Sequence, residues 1–339
     1  MPSFAKPLSV RAIFFGTPAL AVPALNALTE LAEVVFVVCQ PDRPSGRGLL
    51  LKPPPVKVRA LELGLPVLQP EKIRTPEFAA RMRSAAADVG LVIAYGRILP
   101  TAVLEAPRRG CMNLHASLLP HYRGAAPITW AIVRGETETG ISLMQMDEGC
   151  DTGPVFTQHR IPIGETITAD DLGQEIGELG ARVVASDLVR AVAGTLTAVT
   201  QDHGAATMAP LLKKEDGRID WTRGARMVHD HIRGMTSWPG AFTSIPAEGA
   251  ARGPGPGGGA SPEVASSKGL KVLESRPLAS DRVLAEPGTV IATSKTAVEV
   301  ACGTGAVEIL RAQVEGRKPL RAAELLAGRA IHVGMVLGT

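Results

Sequence analysis

RAIFFGTPALAVPALNALTELAEVVFVV, residues 11–38, carries the main signal for the architecture. RAIFF (Arg11–Phe15) is a short apolar run that predicts a strand, and Gly16-Thr17-Pro18 predicts a turn. Pro18 suits the first turn of a helix running to about Leu31, because its fixed φ and missing N–H cost nothing there. VVFVV (Val34–Val38) is apolar without alternation, the pattern of a strand covered on both faces. The same grammar continues outward. VKVRALELG (Val56–Gly64) reads as a helix stopped by glycine, and Pro127–Val133 as a further helix. DVGLVIA (Asp88–Ala94), Cys111–His115 and Ile141–Met146 read as strands. Strand–helix alternation with doubly covered strands predicts an α/β domain: a Rossmann-like, doubly wound, mostly parallel sheet that binds ligands at the carboxyl ends of its strands.

Asp170–Gly194 reads as one long helix, with Leu172, Ile176, Leu179, Val183 and Leu188 at near-helical spacing. A polar stretch, Gln201–Gly217, follows, and the alternation stops. The boundaries drawn from it are a first domain over 1–204, a linker over 205–217 and a second domain over 218–339. In the second domain a helix near Thr222–Arg233 precedes short strands at Ala241–Ile245, Leu270–Ser275, Gly288–Thr293, Ala297–Ala301 and Val307–Ala312, the spacing of a small β-barrel. GAARGPGPGGGASP, residues 249–262, is too rich in Gly and Pro to pack and reads as a flexible loop without an assigned function.

The composition agrees with this reading. The chain has 339 residues, 45% apolar and 20% charged, enough for two domains with full cores and unlike a disordered chain. No uncharged apolar run reaches the length of a spanning helix. MPSFAKPLSVRAIFFG lacks the apolar core of a secretion signal, so a cytoplasmic protein without membrane contact is expected. Cys39, Cys111, Cys150 and Cys302 share no CxxC spacing and read as buried small hydrophobes in a reducing compartment. The net charge of +3 announces no polyanion by itself. Residues 1–200 hold 19 basic and 19 acidic side chains, while residues 201–339 hold 17 and 14, so the whole excess lies in the C-terminal part.

The chemistry concentrates in NLHASLLPHYRGAAPITWAI, Asn113–Ile132. Asn113 and His115 are two apart at the end of an apolar strand, so they point to one side. A second polar turn, Asp147–Gly153, follows the next strand. If that strand is parallel, both turns leave the same sheet edge and Asp151 approaches His115. Amide, imidazole and carboxylate make an acyl-transfer set. The amide donates to a developing oxyanion, and an imidazole, ordinarily titrating near about 6.5, donates or shuttles a proton. A carboxylate fixes the imidazole's tautomer. From spacing alone a structural His–Asn pair and a turn-forming Asp151 fit as well. His229 and His231 fall about 200° apart on a helix, so they share no metal, and no metal site is expected. Trp130, Trp221 and Trp238 read as core rather than stacking platforms.

The same segment resembles the signature of the folate-dependent formyltransferases, in the branch that acts on methionyl-tRNA. The resemblance extends to FFGTP (Phe14–Pro18), QPDRPSGRG (Gln40–Gly48), PPVKVRA (Pro54–Ala60), AYGRILP (Ala94–Pro100), GETETGISLMQMDEGCDTGPV (Gly135–Val155), RIDW (Arg218–Trp221) and WPGA (Trp238–Ala241), in order along most of the chain. It implies that Asn113, His115 and Asp151 are the catalytic trio, and that Ser117, Leu118, Leu119, Pro120, Tyr95 and Gly96 contact folate. It also implies a formyl group moved from 10-formyltetrahydrofolate to the α-amino group of methionine on initiator tRNA, with no metal. The second domain is expected to be similar to an OB-fold, a surface suited to nucleic acid.

The loop Gln40–Pro55 carries Arg43, Arg47 and Lys52. Read alone it is a surface connection; the resemblance implies that it reaches the tRNA acceptor stem. The resembled family often has two lysines where this chain has Leu49-Leu50, which removes charge from the loop. Lys213, Lys214, Arg233, Arg317 and Lys318 are the candidate phosphate contacts in the C-terminal part, and a monomer is expected. Three rivals stand beside this reading. A dinucleotide-dependent dehydrogenase shares the fold class, but the first turn lacks GxGxxG. A sister enzyme that formylates glycinamide ribonucleotide or an amino sugar would use the same trio. A non-catalytic RNA-binding protein would have little need to keep it.

Overall fold

The computed structural model describes residues 10–45, 50–246, 267–328 and 330–338. In chain order the first elements are β1 (Val10–Gly16), α1 (Val22–Leu31), β2 (Ala32–Val38), a hairpin of β3 (Arg43–Ser45) and β4 (Leu50–Lys52), α2 (Pro55–Glu62), β5 (Val67–Leu68), α3 (Pro76–Ser84), β6 (Val89–Ile93), α4 (Thr101–Leu104) and β7 (Cys111–His115). There follow α5 (Pro127–Val133), β8 (Glu138–Gln145), β9 (Val155–Pro162), α6 (Ala169–Val183) and α7 (Val189–Val192). Seven strands form one sheet in the order β5-β2-β1-β6-β7-β8-β9. The first five run parallel, as their apolar, doubly covered sequences require; β6 and β7 are buried along their whole length. β1 lies between β2 and β6, so the winding reverses there and opens a crevice at the carboxyl ends of the strands. One core cluster on this sheet gathers Phe15, Phe36, Phe78 and Tyr95. Phe15 and Tyr95 meet edge to face at 5.6 Å, worth about 0.5–1.5 kcal/mol beyond their buried area.

Several expectations are corrected here. β8 runs antiparallel to β7, and β9 antiparallel to β8. β9 had no clear signal in the sequence, since its residues alternate between half-buried and exposed at a sheet edge. The long helix after it is broken at Val184–Leu188 by a π turn, which buries Asp187 against His159 of β9 at 2.6 Å. Cys39, Cys111 and Cys302 are buried, but Cys150 is exposed because it sits at the tip of the β8–β9 connection.

The chain divides into two compact units: Met1–Ile128 with Glu138–Ile163 and Asp171–Leu211, and Thr129–Thr137 with Gly164–Asp170 and Leu212–Thr339. The second unit contains α8 (Ala225–Gly234), then β10 (Ala241–Ile245), β11 (Lys268–Leu278), β12 (Val290–Thr293), β13 (Val298–Ala301), β14 (Ala306–Val314), β15 (Leu320–Arg321) and α9 (Ala322–Ala327). Its sheet is antiparallel in the order β10-β11-β14-β13-β12, with β15 on β14. Val228 and Ile232 bury one face of α8, with Met235 just past its end, in the core that also holds Leu270, Val272, Val307 and Ile309. Trp221 joins that core and donates its indole N–H to Thr243 Oγ1 at 3.1 Å. Trp238, expected in the core, is 61% exposed: it stands on the turn between α8 and β10. Among the described residues no helix is long and apolar enough to cross a membrane. The Gly/Pro-rich stretch 249–262 lies outside the described residues.

Candidate active site

β7 ends with Asn113 and His115 buried on one face, and both converge on Asp151. Asn113 Nδ2 donates to Asp151 Oδ1 at 3.3 Å. His115 Nδ1 lies 3.6 Å from Asp151 Oδ2. His115 Nε2 is 2.9 Å from the carbonyl oxygen of Tyr122, which can only accept, so Nε2 carries a proton. The backbone N–H of Gly124 donates to Asp151 Oδ2 at 2.8 Å. An amide, an imidazole and a carboxylate thus meet at the carboxyl end of a central strand.

Asp151 arrives by a route other than the one its sequence position suggested. Because β8 is antiparallel, the connection to β9 starts beside the beginning of β7, where Met146 N donates to Cys111 O at 2.8 Å. The connection then folds back to bring Asp151 to His115. Asp147 ties it internally, with Oδ1 accepting from Gly149 N at 3.1 Å and Thr152 Oγ1 at 2.7 Å. Gly153 closes the turn where a Cβ would run into the carbonyl oxygen of Gln145. Asp151 itself takes a left-handed φ of 55°, which costs a non-glycine residue about 1 kcal/mol and must be held by its surroundings.

Two residues missed in the sequence supply part of that hold. Arg123 is buried and directs Nε and Nη2 to Gln201 Oε1 at 3.2 and 2.7 Å. Gln201 Nε2 donates to the carbonyl oxygens of Asp151 and Gly153 at 2.9 and 2.6 Å. Arg123 stands beside Gly124 in the quoted segment and offered a faint signal. Gln201 offered none, since it opens a stretch read as linker.

The residues expected at folate are ordered around Ser142 of β8. Its hydroxyl accepts from Leu119 N at 3.0 Å and from Gln158 Nε2 at 3.0 Å, and donates to Ser117 O at 2.7 Å. Ser117 and Leu119 are buried, while Leu118 and Pro120 are half-buried. Tyr95 and Gly96 follow β6 one strand away. Burial pushes the Tyr95 hydroxyl up to about 12, and its Oη has no hydrogen-bond partner among the described residues. Gly96 adopts φ 84° with open space where a Cβ would lie.

The basic candidates separate. Arg43 and Lys52 face each other across the β3–β4 hairpin, both exposed. Like charges opposite one another are unfavourable without an anion between them. Asp42 at the foot of this hairpin accepts from Gln69 Nε2 at 2.7 Å and Lys57 Nζ at 2.8 Å, and those bonds hold its carboxyl below the usual range. Arg47 and Leu49 lie outside the described residues. Lys213, Lys214, Arg317 and Lys318 are exposed. Arg233 is corrected: it is buried, paired with Asp230 Oδ1 at 2.7 Å, and donates to the carbonyls of Gly164 and Ile167 at 3.0 and 2.8 Å. It braces the second unit's own chain and presents no charge to a phosphate. Among the described residues no group of three His, Cys, Asp or Glu side chains could hold a metal ion; His229 bonds Ser275 Oγ at 3.0 Å and Glu165 O at 3.2 Å.

Residues 10–188 match the family model described as formyl transferase, and residues 211–330 match that of the formyl transferase C-terminal domain. A methionyl-tRNA formyltransferase of Sorangium cellulosum is 66% identical over 330 residues, covering 97% of this chain and 100% of the relative. Another, of Geobacter metallireducens, is 45% identical over 327 residues, covering 96% and 98%. The crystal structure of HypX from Aquifex aeolicus in complex with tetrahydrofolic acid has a similar fold, with a TM-score of 0.59 and 18% identity over 96% of this chain. This chain spans 48% of that longer one.

Proposed function

The chain belongs to the formyl transferase family, and on that basis we propose that it moves the formyl group of 10-formyltetrahydrofolate to the α-amino group of methionine on initiator tRNA, giving formylmethionyl-tRNA for translation initiation. The observation that carries this acceptor, over glycinamide ribonucleotide or an amino sugar, is 66% identity to a methionyl-tRNA formyltransferase across its whole length. The convergence of Asn113, His115 and Asp151 supplies the chemistry such a transfer needs.

Bound folate supplies a formyl carbon on a nitrogen that can leave. Asn113 spends one N–H on Asp151 and has a second for the oxygen that gains charge at that carbon. His115 gives its Nε2–H to Tyr122 O, so Nδ1 donates toward the same oxygen only in the doubly protonated imidazolium, and in the neutral ring it is an acceptor. Asp151 takes the proton released by the methionyl nitrogen as the new C–N bond forms. That proton passes to the departing folate nitrogen as the old C–N bond breaks, so the carboxylate ends as it began. Ser117–Pro120, Tyr95 and Gly96 hold the folate. Arg43, Arg47, Lys52, Lys213, Lys214, Arg317 and Lys318 meet the acceptor stem. The enzyme works as a cytoplasmic monomer of bacterial type.

The test is isotopic formyl transfer, run in parallel on charged initiator tRNA and on glycinamide ribonucleotide. Label on the aminoacyl-tRNA alone is the expected result. Label on the ribonucleotide alone, or on neither, overturns the assignment.

A further inference from the structure

We propose that Gln201 is a positioning residue for the transfer. It grips the backbone at Asp151 and at Gly153, where the turn closes, and is itself oriented by the buried guanidinium of Arg123. The proposal rests on the function given above, because Asp151 is the group being placed.

An arginine side chain can only donate, so the oxygen of the Gln201 amide must face Arg123, whose Nε and Nη2 lie 3.2 and 2.7 Å away. That choice turns the NH₂ toward the turn, where its two protons meet the carbonyls of Asp151 at 2.9 Å and Gly153 at 2.6 Å. Both side chains are buried, which strengthens these bonds and makes an unmade one costly. The grip is applied where the backbone needs it, at a non-glycine residue with φ 55°. Arg123 also acts through its neighbour, since Gly124 N–H holds the carboxylate that Gln201 holds by its peptide. The segment bearing Gln201 is tied down at both ends. Val199 exchanges two 2.8 Å hydrogen bonds with Val155, while Thr207 O accepts from Arg123 N at 2.9 Å and Ala209 N donates to Arg123 O at 2.7 Å. The segment therefore straps the Asp151 turn to the turn that carries Arg123 and Gly124. A shift of about 1 Å in a reacting group costs up to about 100-fold in rate.

The deciding variant is Gln201→Glu. It keeps the shape, and its pairing with Arg123 becomes an ion pair, but it sets a carboxylate oxygen against two carbonyls where a donor stood. Gln201→Ala removes both grips. Formylation of methionyl-tRNA is measured by steady-state kinetics, with thermal unfolding and hydrogen exchange of the amides of 147–153 measured on the same full-length proteins. In Gln201→Glu, at a temperature where the variant remains folded, kcat should fall about 10- to 100-fold, with KM for folate and tRNA within about threefold, and those amides should exchange faster than in wild type. Gln201→Ala should show the same kinetic split. Unchanged kcat, or unchanged exchange, in Gln201→Glu overturns the proposal, as does a loss of kcat confined to temperatures at which the variant unfolds. A wild-type protein inactive on methionyl-tRNA would sink the function proposed above, while the exchange experiment would still decide whether Gln201 holds the turn.

Discussion

Asp151 Oδ2 sits 3.6 Å from His115 Nδ1 and 2.8 Å from the N–H of Gly124, so the carboxylate is bonded to backbone before it meets the imidazole. Its place therefore does not depend on the charge of His115. Asp151→Asn should retain the turn through the side-chain carbonyl yet lose the proton acceptor, lowering kcat about 100- to 10,000-fold with folate binding kept. His115→Ala should lower kcat about 100- to 1,000-fold. Single-turnover formylation beside folate titration checks both. Near wild-type turnover in either variant would remove that residue from the chemistry.

Ser142 has three partners and is fully buried. Ser142→Ala strands Leu119 N–H and Ser117 O, which should destabilise the protein by about 1–3 kcal/mol in denaturant titration. Because the freed stretch of chain is the Ser117–Pro120 segment, KM for folate should rise more than kcat falls. A variant as stable as wild type would mean that the segment is held elsewhere.

Gly124 adopts φ 116°, and an added Cβ would lie 2.7 Å from the carbonyl oxygen of Ala209. Gly124→Ala must move one backbone against the other at the point where Asp151 is gripped. Stability should drop by about 1–3 kcal/mol and turnover by more than that drop explains. Equal melting and turnover to wild type would show that the backbones separate without strain.

Acid should weaken the second unit. Burial lowers the pKa of His229 and, separately, of His231, against weaker opposing effects of a backbone bond to Glu165 and the charge of Asp230 on the first, and of a backbone bond to Gly217 and the charges of Asp216 and Asp220 on the second. Their unfolded value is about 6.5, so below that pH the unfolded chain binds protons that the folded chain refuses. Stability is full above about 6.5 and is lost as pH falls toward the lowered folded values. All three tryptophans, Trp130, Trp221 and Trp238, lie in this unit, so intrinsic fluorescence follows it selectively. The denaturation midpoint by fluorescence should fall between about pH 7.5 and 5.5, and by less in His229→Gln. An unchanged fall in that variant would exclude His229 as a source.

Lys213 caps a short turn through its backbone N–H, 2.7 Å from Asp216 Oδ2, and its ammonium is exposed. Replacing Lys213 and Lys214 by Ala should leave melting unchanged and raise KM for tRNA severalfold. It should also flatten the salt dependence of binding by about 0.7–0.9 in log–log slope for each phosphate left without its lysine. An unaltered slope would assign the phosphates to other basic residues.

The parallel half of the sheet and the shared side of Asn113 and His115 were legible from residue order alone. Uninterrupted apolar runs such as Val34–Val38 suit only strands covered on both faces, and a two-residue spacing puts Asn113 and His115 on one side wherever that strand lies. Strand direction was not legible in the same way. An antiparallel β8 with a fully buried centre carries the same apolar run as a parallel strand, so only pairing reveals that the Asp151 turn starts at the far edge and folds back. Charge was legible and accessibility was not. Arg233 reads like any basic residue on an amphipathic helix until Asp230 and two carbonyls enclose it. Gln201 is the clearest case. Its meaning lies entirely in a donor pattern fixed by Arg123, 78 positions earlier, and by carbonyls 50 and 48 positions earlier. Local periodicity carries no trace of hydrogen bonds that close only when distant segments pack.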